Sequence, residues 1–356
     1  MSFALNSSLK TKAHYEILDG LRGVAALAVV IFHFMEIIIS DFSINIIAHG
    51  FLAVDFFFCL SGFVIAYAYD DKLPKIGLKQ FYKQRLIRLQ PLVILGGVLG
   101  LLAFLFTPIG NSVGAYSTWQ ISLLFLATVF VIPYPSMEDR YFNLFGLNAP
   151  AWSLFWEYIA NIVYSLVLVK LHKKMLAFFA LIAAVCIVYI AKVHGNTLGG
   201  WDGSTFWHGG ARIMYSFLAG MCIFRFQLII KNKLGFLPLT LLLVLAFMAP
   251  YNETWNWITE PFLILIYFPL IISLGAGSVL KSSQQKICNF SGQISYPLYV
   301  THYFAMWSFG SYYNTNKPST ETLLWVVPLI IIVQLLVAYI AMKFYDLPLR
   351  KRLMKK

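Results

Sequence analysis

The chain has 356 residues, of which 60% are hydrophobic and only 12% charged, and its formal net charge is +12. Soluble domains carry about a quarter charged residues, so a soluble fold is excluded and a polytopic membrane protein is expected. The apolar runs are long and no short alternating strands occur, which points to an all-α protein rather than a β-barrel. The basic excess falls where membrane topology would place it and is no sign of a nucleic-acid partner. Four cysteines, Cys59, Cys186, Cys222 and Cys288, show no CxxC spacing and no histidine-rich neighbourhood, so they read as small apolar residues and no metal site is expected.

In chain order, apolar runs fall near 20–39, 51–69, 91–107, 119–134, 151–170, 176–192, 206–226, 235–250, 258–277, 293–313 and 322–343. The first lacks a cleavage site of small residues and reads as a retained helix, not a signal peptide. Placing Lys10 and Lys12 inside puts the basic stretch Lys72–Arg88 inside as well. The next basic cluster, Lys170, Lys173 and Lys174, is inside only if the fourth and fifth runs make one crossing between them. The fourth, 119–134, is bounded by Trp119 and by Pro133 and Pro135, which suits a re-entrant or interfacial segment. The expected architecture is therefore about ten transmembrane helices plus that segment, with both termini inside. This places 22 of the 27 basic residues on the inner side, leaving Arg22, Arg140, Lys192, Arg212 and Lys317. Residues 1–356 are expected to form one integral-membrane domain without a soluble one.

Several ionisable residues interrupt these runs, and such residues inside a membrane mark functional sites by default. Arg22 and His33 are eleven residues apart in LDGLRGVAALAVVIFHF, three helical turns, which puts them on one face roughly 16 Å apart along the axis. Asp19 precedes His33 by fourteen residues and Glu36 follows it by a turn, so the four form a polar stripe. In the second run, Asp55 enters near the outer face, at a depth that could face His33. Ser61-Gly62 lies mid-membrane without a G-x-S-x-G elbow, and helix packing explains it equally well. The inner loop and third-helix entry read FYKQRLIRLQP, which puts Arg85 and Arg88 on one face if helical. Topology alone accounts for them, but two guanidiniums on one face also suit a phosphate clamp. The fifth span opens with APAWSLFWEY, in which Glu157 is expected near the outer side in the company of Trp152, Ser153 and Trp156. Arg212 is expected to face a cavity or a carboxylate. The stretch SGQISYPLYVTHYF brings Ser295, Tyr296, Pro297, Tyr299 and His302 to the start of the tenth crossing, His302 reading as structural when taken alone.

Together these segments resemble the acyltransferase family 3 membrane proteins over about residues 18–350. The resemblance is carried by Leu18-Asp19-Gly20-Leu21-Arg22-Gly23 with Arg22-x10-His33, and by Val54-Asp55-Phe56-Phe57 through Leu60-Ser61-Gly62-Phe63. It continues in Arg85-x-x-Arg88 with Pro91, Trp152-Ser153-Leu154 with Glu157, and Ile294-Ser295-Tyr296-Pro297-Leu298-Tyr299 with His302; the closing YDLPLRKRL also matches. Two departures stand out: Ala160-Asn161 replace an aromatic pair, with Tyr164 a turn later, and Gln90 replaces an apolar residue before Pro91.

The resemblance implies a bacterial inner-membrane enzyme that moves an acyl group, commonly acetyl, from cytoplasmic acetyl-CoA to an acceptor at the outer face. The acceptor is expected to be a glycan or glycolipid, with a small molecule such as a macrolide as the alternative. On this reading Arg85 and Arg88 hold CoA phosphates and Arg22 steadies the donor further in. Histidine titrates near neutral pH as a free side chain, so His33 suits a general base, oriented by Asp55, Glu36 or Glu157, with Asp19 in the same stripe. Trp152, Ser153, Ser61, Tyr296, His302 and Arg212 would line the substrate site. An acyl-histidine intermediate is the rival route. The alternative class is a proton-coupled transporter or flippase, but the repeated broken helices of such folds are not evident.

Overall fold

The computed structural model describes residues 14–107 and 113–355. Lys10, Lys12 and Lys356, used above to orient the chain, lie outside them. The described residues form helices α1 (Glu16–Ile38), α2 (Ala53–Tyr69), α3 (Leu73–Phe106), α4 (Thr118–Phe130), α5 (Ala151–Leu166), α6 (Lys173–His194) and α7 (Phe206–Arg225). These are followed by α8 (Phe236–Phe247), α9 (Asn256–Phe262), α10 (Phe268–Gly277), α11 (Gln285–Thr301), α12 (Tyr303–Asn316), α13 (Thr320–Ile340) and α14 (Leu347–Met354). Among the described residues there is no β-strand, only the isolated bridges Asn143–Asp202 and Asn232–Ser278. Among the described residues six helical stretches are long and apolar enough to cross a membrane: Glu16–Ile38, Gly50–Tyr69, Leu73–Phe106, Lys173–His194, Asn256–Gly277 and Thr320–Met354.

The most extensive pairings are α1 with α11 and α2 with α7. Both depend on glycine. A Cβ on Gly23 would collide with Ser291 of α11, and one on Gly62 with the Phe217 carbonyl of α7. In lipid, where apolar surface gains little by leaving the solvent, such close backbone approach is what brings helices together. Gly62 therefore serves packing, while its neighbour Ser61 points elsewhere. These two pairings form the centre of the bundle. By contrast α6 and the helix through α13 lie at the periphery, with 22% and 17% of their apolar windows buried.

Four elements bear on their sequence expectation, three by differing from it and α4 by its length. First, the basic stretch before the third run is not a loop: α3 begins at Leu73 and continues through Pro91, interrupted only by Gly77 at φ 73°. The apolar run marked only its later part, since Lys79, Lys83, Arg85 and Arg88 are good helix formers that carry no hydropathy signal. Second, α4 has 13 residues, capped by Ser117 and Gln120 and ended by Val131 in the left-handed region. At 1.5 Å per residue it is about 20 Å long, short of a ~30 Å hydrocarbon core. Third, the 293–313 run divides at His302 into α11 and α12. The His302 imidazole takes up the Tyr299 carbonyl, Nδ1–H donating across 2.8 Å. Fourth, a π-helical turn, Ala341–Asp346, joins α13 to α14, so the last span runs past 343.

One end of the bundle is tied by polar contacts between chain segments that the sequence assigned to one side. Arg225 binds Asp70 through Nε and Nη2 at 2.7 and 3.0 Å and donates to the carbonyls of Leu168 and Leu171. Gly235 N–H donates to Ser278 Oγ, and Gln285 to Glu16. We call this the basic end.

Candidate active site

Arg22 and His33 lie on the single helix α1, but each is held by different neighbours. At the basic end, Arg22 Nη2 meets Asp19 Oδ1 at 2.8 Å and donates to the Gly292 carbonyl at 2.7 Å. Its Nε donates to Ser295 Oγ at 2.9 Å. Three turns on, His33 Nδ1 is 2.6 Å from Glu36 Oε1. With Nδ1–H donating to Glu36, Nε2 carries the lone pair. The His33 ring stacks on that of His302, centroids 5.2 Å apart and planes 21° apart. His302 is fully buried, and its Nδ1–H is spent on the Leu298 and Tyr299 carbonyls.

A cavity of about 110 Å³ opens beside Arg22, lined by Ser61 of α2, Arg85 and Arg88 of α3, Glu157 of α5 and Tyr296 of α11. Within it Glu157 Oε1 receives Arg85 Nη2 at 2.8 Å and Ser61 Oγ–H at 3.2 Å. Arg85 is buried and meets this carboxylate through Nη2 alone, its Nε being buried without a partner. Arg88 is exposed to the cavity, and among the described residues it makes no hydrogen bond or ion pair. Glu157 thus lies halfway along α2 and level with Arg85. The reason is that residues preceding α5 already run deep: Leu147 and Asn148 press against Gly100 and Gly96 of α3, so α5 starts inside the bundle. Gln90, the residue out of pattern, bridges α5 to α4 by accepting from Tyr158 O–H and donating to the Val129 carbonyl. Asn161 donates back to the Glu157 carbonyl.

Phe57, Ser153 and Tyr299 also line the cavity. The Tyr299 hydroxyl shares a 2.7 Å hydrogen bond with Ser153 Oγ, and its ring meets Phe57 edge-on at 5.5 Å. The other side of Tyr299 faces His302 at 6.0 Å. Two aromatic rings therefore stand between the arginine cavity and the stacked histidines.

Asp55 does not face His33. It is fully buried and paired with Arg212: Nη2 lies 2.5 Å from Oδ2, and Nε donates to Oδ1 at 3.1 Å. Arg212 also donates to the carbonyls of Gly199 and Phe51, and its guanidinium lies 5.2 Å from the Trp152 ring and 5.7 Å from Phe51. The pair pins α2 to α7, and Trp152 covers it rather than lining the cavity. Arg212 therefore faces a carboxylate, the second of the two expectations made for it.

A family model described as an acyltransferase domain matches residues 15–343. The chain belongs to the acyltransferase 3 family. Protein 2 of the picA locus of Rhizobium radiobacter is 37% identical over 160 residues, covering 42% of this chain and 80% of that protein. The O-acetyltransferase OatA of Staphylococcus aureus (strain NCTC 8325 / PS 47) is 25% identical over 367 residues, covering 94% of this chain. The chain spans only 57% of OatA's length. No solved structure matches significantly.

Within this acyltransferase the sequence motifs resolve into three groups. Asp19, Arg22, Ser61, Arg85, Arg88, Glu157 and Tyr296 gather at the cavity; His33, Glu36 and His302 lie beyond the aromatic rings; Asp55, Arg212 and Trp152 form a separate buried cluster. Ser153 joins the rings themselves. Among the described residues no group of metal-ligating side chains occurs. Sequence reasoning missed two features. Phe57 and Tyr299 stand within the family motifs, but nothing in an aromatic-rich chain marked them as lining the cavity together. Asp346 and Arg350, an i,i+4 pair with Nη2 2.6 Å from Oδ2, could have been found from their spacing.

Proposed function

We propose that the protein is an O-acetyltransferase that takes an acetyl group from acetyl-CoA at the basic end and delivers it to a glycan hydroxyl at the opposite end. The basic end then faces the cytoplasm, as the positive-inside distribution requires, in a bacterial inner membrane crossed about ten times. The reading rests on α1, whose single face joins an arginine-lined cavity to a His–Glu pair roughly 16 Å further along. The relatives named O-acetyltransferase support the same chemistry. The cavity fits a phosphorylated donor because Arg88 faces it with its guanidinium uncommitted, whereas Arg85 and Arg22 are held by Glu157 and Asp19.

His33 acts as general base. Glu36 accepts a hydrogen bond from Nδ1–H, so Nε2 takes the proton of the acceptor hydroxyl as the oxygen attacks the thioester carbonyl. The new C–O bond forms, the C–S bond breaks, and the CoA thiolate leaves and is reprotonated. Glu36 stabilises the imidazolium while it lasts. His302, with its one proton already given to the main chain, holds the His33 ring by stacking and does not compete for the substrate proton.

The test is transfer of label from acetyl-CoA to surface glycan in membrane vesicles. His33→Ala is expected to lower transfer by about 10²–10⁴-fold. Normal transfer by that variant would remove His33 from the reaction, and a labelled protein adduct lost in His33→Ala would replace direct transfer by an acyl-histidine route.

A further inference from the structure

The C-terminal helix brings a fourth arginine to the cavity end of the bundle. α14 packs on α3, and the π-helical turn Ala341–Asp346 that precedes it ends at Asp346. Single π turns recur where a helix must re-aim side chains, often at functional sites. Here the turn carries Asp346 out of a lipid-facing helix to a position with 1% exposure. Arg350 then lies close enough to Arg22, Arg88 and Tyr296 for their charges to act on one another. Arg88 acts on Asp346 as well.

The pairing between Arg350 and Asp346 is incomplete. A guanidinium and a carboxylate can meet two-on-two, yet here one nitrogen meets one oxygen at 2.6 Å. Arg350 Nε and Asp346 Oδ1 are both buried and without a partner. Buried polar groups are normally satisfied. Beside them stands Arg88, with no hydrogen bond or ion pair among the described residues. Four guanidiniums, of Arg22, Arg85, Arg88 and Arg350, thus face three carboxylates, those of Asp19, Glu157 and Asp346. Uncommitted donors remain on Arg88, on Arg350 and at the buried Nε of Arg85, and those of Arg88 and Arg350 come from two different helices.

We propose that Arg88 and Arg350 form a subsite for the terminal phosphomonoester of the donor's nucleotide, with Asp346 holding Arg350 in place between turnovers. This rests on the acyl-CoA reading above. A phosphomonoester presents three terminal oxygens and nearly two negative charges, which suits two guanidiniums approaching from separate helices. Arg85, which the sequence motif offers as the second half of a clamp, instead positions Glu157.

The experiment measures binding of CoA and of 3′-dephospho-CoA to the purified protein in phosphatidylcholine nanodiscs by calorimetry. The wild type is expected to prefer CoA by about tenfold or more, the worth of one charge-assisted hydrogen bond. Arg350→Gln should abolish that preference while leaving 3′-dephospho-CoA affinity unchanged. Because that variant leaves Asp346 buried and unpaired, the double variant Asp346→Asn/Arg350→Gln serves as its folded counterpart and should bind in the same way. Asp346→Asn alone should tighten CoA and not 3′-dephospho-CoA. Equal wild-type affinity for the two nucleotides, or a parallel loss of both in the folded double variant, overturns the subsite while leaving the donor reading standing. If the wild type binds neither, the donor reading itself fails and the subsite with it. A preference that vanishes only on exchange into phosphatidylglycerol assigns the two arginines to a lipid headgroup and overturns the proposal.

Discussion

Replacing Asp55 by Asn changes one charge at nearly constant volume, so no cavity is created and the effect isolates the counter-ion. Arg212 is left at 2% exposure with two carbonyls, Gly199 and Phe51, and two aromatic faces, Trp152 and Phe51, as its remaining partners. Removing one member of a buried pair costs about 3–5 kcal/mol, because the other charge stays behind undischarged. The aromatic faces persist in the variant and therefore do not reduce that cost. The double variant Asp55→Leu/Arg212→Met removes both charges and should recover most of the loss, since apolar replacements of such pairs are often neutral or stabilising. Reversible unfolding in detergent micelles, followed by tryptophan fluorescence, reads both. Acetyl transfer per folded molecule should be retained within a few-fold in Asp55→Asn. A cost below about 1 kcal/mol would show that the pair is not desolvated as described. A folded double variant of normal stability without transferase activity would return Asp55 to the reaction.

Two further predictions concern the far half of α1 and the barrier beside it. Glu36→Gln keeps an acceptor for His33 Nδ1 but removes the charge opposite the imidazolium. The loss of a charge-assisted bond predicts a fall in kcat of about tenfold to a hundredfold with KM for acetyl-CoA unchanged, and a KM effect of equal size would place Glu36 in donor binding instead. Phe57→Ala removes one of the two rings between the cavity and the stacked histidines, so acetyl-CoA hydrolysis without acceptor should rise in a thiol-release assay. Unchanged hydrolysis would show that Phe57 does not separate the donor from water beyond it.

What the sequence revealed and what it hid divide along physical lines. The face shared by Arg22 and His33 was legible because helical periodicity within one element is a local property. Arg85 and Arg88 were legible as a pair for the same reason. The partners of those residues were not. Asp55 and His33 looked equally deep when counted from helix ends, yet a helix packed on two sides has several directions to face, and α7 offered Asp55 a cation. The level of Glu157 with Arg85 was hidden because depth was counted from the start of an apolar run, while an irregular segment had already carried the chain inward. The break at His302 left no mark on hydropathy, since its cause is one side chain competing for a main-chain carbonyl. The stack of His302 on His33 joins residues 269 positions apart, which no local pattern reports.

The two rings of Phe57 and Tyr299 have an electrical consequence. A water-filled passage through the bundle would carry protons and dissipate the potential of an energised membrane. Where the rings of Phe57 and Tyr299 exclude water, much of the potential would fall across them. Moving one charge through them would cost or release about 2.3 kcal/mol per 100 mV, and the phosphates of a nucleotide would meet that cost several times over. The acetylated pantetheine arm is uncharged and passes without electrical work. On the proposed route, the rings would let that neutral arm reach His33 and keep the phosphates on the side where they were bound.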